Sequence, residues 1–219
     1  MTKYRNYAVL WDMDGVLVDT GDFHYESWKE TFDDLNVSFD REDFRETFGM
    51  NNAGILERIF GRKPETEEVL RISDKKESLF RDLIKGKAET LPGVLNWLKQ
   101  FQDWDIKQAI TSSAPPENIG VLVTELEIKE YFDAIVSGFN LPGKPNPDVF
   151  LKAARKLKVP SEKCIVIEDA IAGVEGAERA GMKCIAVTTT NPASALGKAD
   201  FVFSDLGKMG KEKFLSLLS

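Results

Sequence analysis

The chain has 219 residues, 42% of them hydrophobic and 30% charged, with a formal net charge of −7. That length buries a good core in one large domain or two unequal ones, and the composition is that of a soluble globular protein. The acidic balance argues against an electrostatic nucleic-acid or anionic-membrane surface, so neither partner is expected, whereas one local cation site would still admit a small phosphorylated metabolite. No run reaches the ~18 apolar residues of a membrane span. Met1-Thr2-Lys3-Tyr4-Arg5 is not followed by a secretory apolar segment, so a cytoplasmic location is expected, and a monomer with it. Cys164 and Cys184 lie in or beside apolar runs and read as small core residues rather than a disulfide or a metal pair.

The first informative stretch is Tyr7-Ala8-Val9-Leu10-Trp11, which reads as a strand buried on both faces, as in parallel α/β sheets. Asp12 and Asp14 follow at i and i+2, then Gly15, which lets the backbone turn tightly. Burying charge costs several kcal/mol unless a cation or hydrogen bonds offset it. The pair therefore reads as a carboxylate nucleophile, Asp12, beside an acid/base, Asp14, with a divalent cation between them and a phosphate. The competing reading is an Asx-type turn with a solvated acid.

From about residue 21 to 88 the periodicity is helical. Phe23, Trp28, Phe32 and Leu35 form one stripe, and Phe44, Phe48, Ile55, Leu56, Ile59 and Phe60 continue it. Asn51 or Asn52 is the expected N-cap of a helix that Gly61 stops. Pro64 is expected in the first turn of the next helix, with Glu65, Glu67 and Glu68 at its positive end and Lys85 and Lys87 at the other. Its stripe is Val69, Ile72, Leu79, Phe80, Leu83 and Ile84. An insert of this length is too long for a loop, so a helical domain over 19–89 is expected between two core segments, 1–18 and 90–219. Hinges are expected at 19–21 and 86–91, where glycines flank the insert.

From Leu91-Pro92-Gly93 onward, helices and strands alternate. Helix 94–101 leads to strand 106–110 and Thr111-Ser112-Ser113; helix 116–126 leads to strand 133–136 and the loop Gly143-Lys144-Pro145-Asn146-Pro147. Helix 148–157 leads to strand 164–167 and Glu168-Asp169. A small-residue helix, 170–180, then strands 184–187 and 201–203 and a last helix complete the chain. This alternation predicts an α/β fold built on a doubly wound parallel sheet.

Polar residues follow four of these strands: Asp12 and Asp14, Thr111 and Ser112, Lys144, and Glu168 and Asp169. In an open parallel sheet all strand C-termini share one edge, and that edge carries the binding crevice. Singly, Ser112 could cap the next helix, Lys144 could be a solvated loop charge, and Glu168 and Asp169 could be first-turn acids favoured by the helix dipole. Together they suit phosphoryl transfer. A carboxylate attacking a phosphate meets like charge, about 4 kcal/mol per unit pair at ~4 Å and an effective dielectric near 20. Asp12 and Asp169 are hard oxygen ligands for Mg²⁺, and Lys144 supplies a second positive charge. Ser112 and nearby backbone N–H groups would orient phosphate oxygens. Asp14 would protonate the leaving alcohol and later deprotonate water.

The run Asp12-Met13-Asp14-Gly15-Val16-Leu17-Val18-Asp19 resembles the first motif of the haloacid dehalogenase superfamily. Ser112, Lys144 within Gly-Lys-Pro-Asn-Pro-Asp, and Glu168-Asp169 within Glu-Asp-Ala-Ile-Ala-Gly-Val match its other motifs. The resemblance runs nearly end to end and is nearest to the branch of β-phosphoglucomutase and small sugar-phosphate phosphatases. It implies a Rossmann-like core, an all-α helical cap inserted after the first strand, and Mg²⁺. It implies Asp12 as nucleophile, Asp14 as acid/base, and Ser112 and Lys144, with Ser113 beside them, as phosphate ligands. The implied metal ligands are Asp12, Asp169 and the Asp14 backbone carbonyl, with Glu168 close by. In the cap, Thr20 and His24 match the mutase pattern, in which the histidine positions the acid/base; a plain surface or core histidine is the alternative. Lys76 is a candidate substrate contact, and Asn51 and Asn52 stand where the mutase carries an arginine, which Arg58 does not clearly replace.

A phosphatase is thus the leading expectation, with a β-phosphoglucomutase second. A phospho-accepting receiver module lacks the helical insert. A dehalogenase needs neither metal nor Asp14, and a catalytically dead binding protein would have lost a core position that this chain keeps.

Overall fold

The computed structural model describes residues 4–218. Its strands are β1 (Ala8–Trp11), β2 (Lys107–Ser112), β3 (Ala134–Ser137), β4 (Cys164–Glu168), β5 (Lys183–Val187) and β6 (Phe201–Phe203). Its helices are α1 (Gly21–Asp33), α2 (Arg41–Thr47), α3 (Asn52–Phe60), α4 (Thr66–Ile84), α5 (Val94–Asp103), α6 (Pro116–Glu125), α7 (Asp148–Leu157), α8 (Ile171–Arg179) and α9 (Lys211–Leu215). The strands form one parallel sheet in the order β3-β2-β1-β4-β5-β6, so the fold is α/β and doubly wound.

Period-two alternation divides β1 between two cores. Val9 and Trp11 face the helices that supply Trp97, Phe101, Ile119, Leu122 and Phe214. Ala8 and Leu10 face Phe150 and Ala153 of α7 and Val174 and Ala177 of α8. With helices on both faces every β1 residue is fully buried, which is why its sequence runs apolar without a break. The indole N–H of Trp11 donates to Gln108 Oε1 (3.0 Å), and Gln108 Nε2 donates to the Leu98 carbonyl (2.9 Å), so these buried polar atoms are satisfied. Strand β2 runs two residues beyond expectation because β3 lies alongside and pairs Thr111 with Val136 and Ser112 with Ser137.

Helices α1 to α4 form the insert and share their own cluster of Trp28, Phe32, Phe39, Ile55, Leu56 and Ile72. Asn51 caps α3, its side chain accepting the Gly54 N–H (2.9 Å), and Gly61 ends it at φ 64°. The start of α4 differs from expectation: Glu65 is extended, so the helix begins at Thr66 and Pro64 precedes it instead of entering its first turn. Glu67 and Glu68 still occupy that first turn. Its far half leaves the cap cluster, and Phe80 and Ile84 pack into the core of the sheet. Both connections to the sheet lie together: Val18 bridges Thr90, and the Leu91 N–H donates to the Leu17 carbonyl (3.0 Å). Among the described residues no helix is long and apolar enough to cross a membrane.

Candidate active site

The strand order reverses between β1 and β4, which opens a crevice at their C-terminal ends. Asp12 leaves β1 there, and its N–H donates to the Ile167 carbonyl (2.9 Å), which fixes it beside the end of β4. Glu168 ends β4 and Asp169 follows. One carboxylate oxygen from each of Asp12, Glu168 and Asp169 lies within 4.8 Å of the others, and all three residues are buried. Lys144, from the loop before α7, donates to Asp12 Oδ1, to Glu168 Oε1 (2.6 Å) and to the Thr111 carbonyl (3.3 Å). Glu168 Oε2 accepts the N–H groups of Asp169 (2.9 Å) and Ala170 (3.0 Å), so both its oxygens are engaged. Thr190, in the loop after β5, donates to Asp169 Oδ2, and Asn191 Nδ2 donates to the Asp169 carbonyl (3.1 Å).

One lysine against three buried acids leaves the cluster short of positive charge. Burial, with the charges of Glu168 and Asp14, lifts the Asp12 carboxyl to about 8 despite Lys144. Burial and the same crowding raise Asp169 well above the usual carboxylate range. Burial alone would depress the Lys144 ammonium, but Asp12 and Glu168 together raise it. A compact set of hard oxygens with excess negative charge fits a small divalent cation.

Asp14 has a different setting. Its Oδ1 accepts from the Thr20 hydroxyl (2.6 Å) and lies 3.2 Å from His24 Nε2. Lys76 Nζ stands 2.8 Å from His24 Nδ1. An ammonium has no lone pair, so Nδ1 must be the acceptor, and the proton of the neutral ring sits on Nε2 and points at Asp14. Burial pushes Asp14 up, but the hydrogen bonds from His24 and Thr20 and the nearby charge of Lys76 together outweigh it and hold the carboxyl below its ordinary value. The His24 ring stacks on Phe80 with centroids 4.1 Å apart.

Two glycines are required by the carboxylates. A Cβ on Gly15, whose φ is 79°, would fall 2.0 Å from Asp169 Oδ2, and one on Gly173 would fall 1.9 Å from the Glu168 carboxyl carbon.

The cap covers this edge. The cavity between them is about 90 Å³ and is lined by Asp12, Asp14, Ser113, Lys144, Glu168 and Asp169 from the sheet side and by His24, Phe48, Asn51, Asn52, Lys76 and Glu77 from the cap. It is smaller than the ~300–1,000 Å³ of typical ligand pockets. Ser112 is fully buried, its hydroxyl accepting the Ala114 N–H (3.0 Å), whereas Ser113 faces the cavity. The helix after β2 starts from Pro115 without a side-chain cap, so Ser112 does not serve as one. Asn52 donates to Glu77 (2.8 Å). Glu77, Asn118 and Thr190 escaped the sequence reading. Thr190 was findable as a polar residue following a fifth strand; Glu77 and Asn118 lie within helices and carry no local signal.

Acids, a lysine and a hydroxyl gathered at the crevice of a doubly wound sheet, beneath a helical lid, define an enzyme of phosphoryl transfer. Residues 9–187 match the haloacid dehalogenase-like hydrolase family, and the chain belongs to that family. Over 193 residues it is 34% identical to the β-phosphoglucomutase of Bacillus subtilis, covering 84% of both chains. It is 31% identical over 202 residues to a phosphorylated carbohydrates phosphatase of Thermotoga maritima, covering 89% of this chain and 92% of that one. The crystal structure of β-phosphoglucomutase from Clostridium difficile superposes with a TM-score of 0.88 at 28% identity, covering 97% of this chain and 96% of that one.

The crowding of Asp12 has a consequence for stability. Its carboxyl rises from ~3.9 in the unfolded chain to about 8 in the fold. Between those values folding takes up a proton, so this group lowers stability as pH rises through the window. Asp12→Asn removes the penalty. In EDTA at pH 8 its melting temperature should exceed that of the wild type by about 2–4 °C or more, the equivalent of ~1 kcal/mol in a chain this size. The two proteins should converge near pH 4. A variant less stable than the wild type at pH 8 would contradict this electrostatic account.

Proposed function

We propose that the protein is a Mg²⁺-dependent phosphatase that hydrolyses a small phosphorylated metabolite, of the sugar-phosphate class, through an aspartyl-phosphate on Asp12. The observation that carries the choice of phosphatase is the charge state of the cavity. Both of its cations are already paired, Lys144 with Asp12 and Glu168, Lys76 with Glu77 at 3.1 Å, and no arginine is among its lining residues. Arg58 is bound to Glu46 (2.6 Å) on the exposed side of the cap. One phosphate, accompanied by a divalent cation, can be neutralised at the sheet edge. A second phosphate at the cap end would meet no unpaired charge, and a mutase must hold a bisphosphate in two orientations.

In this reading an Asp12 oxygen attacks phosphorus, the phosphorus–oxygen bond to the substrate breaks, and Asp14 gives the leaving oxygen a proton. Asp14 then takes a proton from water as that water attacks the aspartyl-phosphate, which releases phosphate and restores Asp12. The entering phosphate dianion raises the proton affinity of Asp14, whose ionised form is favoured before substrate binds. Ser113, with the backbone N–H groups that follow β2, orients the phosphate, and Asn51 and Asn52 offer hydrogen bonds to sugar hydroxyls. Asp12, Asp169 and the Asp14 backbone carbonyl would hold Mg²⁺, with Glu168 close by. The cation would supply the charge that lets a carboxylate approach a phosphate. The cap spans 19–89 and hinges where Val18 and Thr90 meet, excluding water during attack and admitting it afterwards.

The mutase keeps one supporting observation, the Thr20–Asp14–His24 arrangement, together with the Bacillus subtilis relative named for that activity. A panel of hexose and pentose monophosphates, assayed for phosphate release, and a coupled assay of β-glucose 1-phosphate primed with β-glucose 1,6-bisphosphate separate the two. Phosphate release should dominate, and isomerisation faster by about a hundredfold, some 2.7 kcal/mol in barrier, would overturn the phosphatase. Stripping the enzyme with excess EDTA should abolish turnover and Mg²⁺ should restore it. Full activity in the stripped enzyme would exclude the metal-dependent step.

A further inference from the structure

Helix α4 turns one face to the sheet, and on it sit Lys76, Glu77 and Arg81. Glu77 is buried at 5% exposure and Lys76 at 2%. The Glu77 carboxylate accepts from Asn52 Nδ2 (2.8 Å), from Lys76 Nζ (3.1 Å to each oxygen) and from Asn118 Nδ2 (2.6 Å). The first two donors belong to the cap; Asn118, fully buried on α6, belongs to the sheet side. Its other amide atom, Oδ1, accepts from Arg81 Nη1 (2.9 Å). Glu77 and Arg81 are four residues apart and could pair with each other along the helix. Instead a neutral amide stands between them, its N–H toward the carboxylate and its carbonyl toward the guanidinium. Only an Asn or Gln side chain offers both a donor and an acceptor in that fork.

The hydrogen bonds continue from there. Asn118 holds Glu77, Glu77 holds Lys76, Lys76 holds His24, and His24 reaches Asp14. This chain of five side chains begins and ends on the sheet side and passes through the cap. Lifting the cap breaks both of its ends while the links among Asn52, Lys76, Glu77 and His24 stay together. Resting on the phosphatase reading above, we propose that Glu77 and Asn118 are positioning residues: their contact seats the cap and thereby sets His24 against Asp14, so that proton transfer is available only when the cavity is closed. Breaking that contact leaves a buried carboxylate without one of its donors, a costly state for a desolvated charge.

The test uses the Mg²⁺-loaded protein with Glu77→Gln, Asn118→Asp, the double variant, and Asp14→Asn as reference. Each substitution is isosteric, and thermal melts report whether each protein folds. Two substrates are compared by kcat/KM: p-nitrophenyl phosphate, whose leaving group departs with little protonation, and the hexose monophosphate with the highest kcat/KM in the panel above. Asn118→Asp sets two carboxylates face to face and should lower kcat/KM for the sugar phosphate by about tenfold to a hundredfold, and for p-nitrophenyl phosphate distinctly less. Glu77→Gln should act in the same direction. The double variant again pairs an amide with a carboxylate, with the roles exchanged, and should recover about tenfold over Asn118→Asp. Equal losses on both substrates, or a double variant no better than the product of the singles, would overturn the proposal and leave the pair a packing contact. If Asp14→Asn itself shows no preference between the leaving groups, the acid/base assignment fails, which is a different result from failure of Glu77 and Asn118 alone.

Discussion

Everything at the sheet edge depends on the Lys144 ammonium, wedged between the buried carboxylates of Asp12 and Glu168. Three acids within 4.8 Å of one another would repel strongly in a site this dry. One lysine makes the cluster tolerable without neutralising it, and the residual negative charge is what a divalent cation can use. Removing the lysine would leave the buried acids uncompensated, a change that typically costs about 3–5 kcal/mol. The sheet order supplies the rest of the geometry. Adjacent parallel strands β1 and β4 end side by side, so Asp12, Glu168 and Asp169 have no other place to project. The glycines at 15 and 173 are the local adjustments that make room for them.

The cap answers with a second lysine, and the contrast between the two is informative. Lys144 meets two carboxylates of the sheet edge, whereas Lys76 meets one carboxylate of its own helix and the acceptor nitrogen of His24. Burial lowers the Lys76 ammonium even with Glu77 beside it, while Glu77 itself is held below its usual value, burial notwithstanding, by Lys76 and Asn52. The lysine is thereby spent on orienting the histidine and leaves little charge for a ligand. On the phosphatase reading proposed above, a cavity with one anion site at the sheet and hydrogen-bonding amides at the cap suits a monophosphate with a neutral, hydroxylated remainder.

The sheet, the insert and the core acids were legible because each rests on local chemistry. The apolar run ending at Trp11, the paired acids at 12 and 14, and the polar residues after β2 and β4 follow from strands whose two faces are both covered. The Asn51 cap and the Gly61 stop were equally local. Where Pro64 falls was not, since either side of the N-cap tolerates proline and the extended backbone of Glu65 decides. Glu77 and Asn118 were invisible for another reason. They are each other's partners across 41 residues, on different elements, and nothing in spacing or periodicity announces such a contact. The placement of Ser113 rather than Ser112 at the cavity wall likewise depends on how far β2 runs beside β3.

The central claim is that Asp12 takes the phosphoryl group before water does. The most direct test is the stereochemical course at phosphorus, followed with an isotopically chiral phosphorothioate monoester hydrolysed in isotopically labelled water with Mg²⁺. Two successive in-line displacements, the first by Asp12 and the second by water, predict overall retention of configuration in the released thiophosphate. Inversion would mean a single direct attack by water and would contradict the aspartyl-phosphate account.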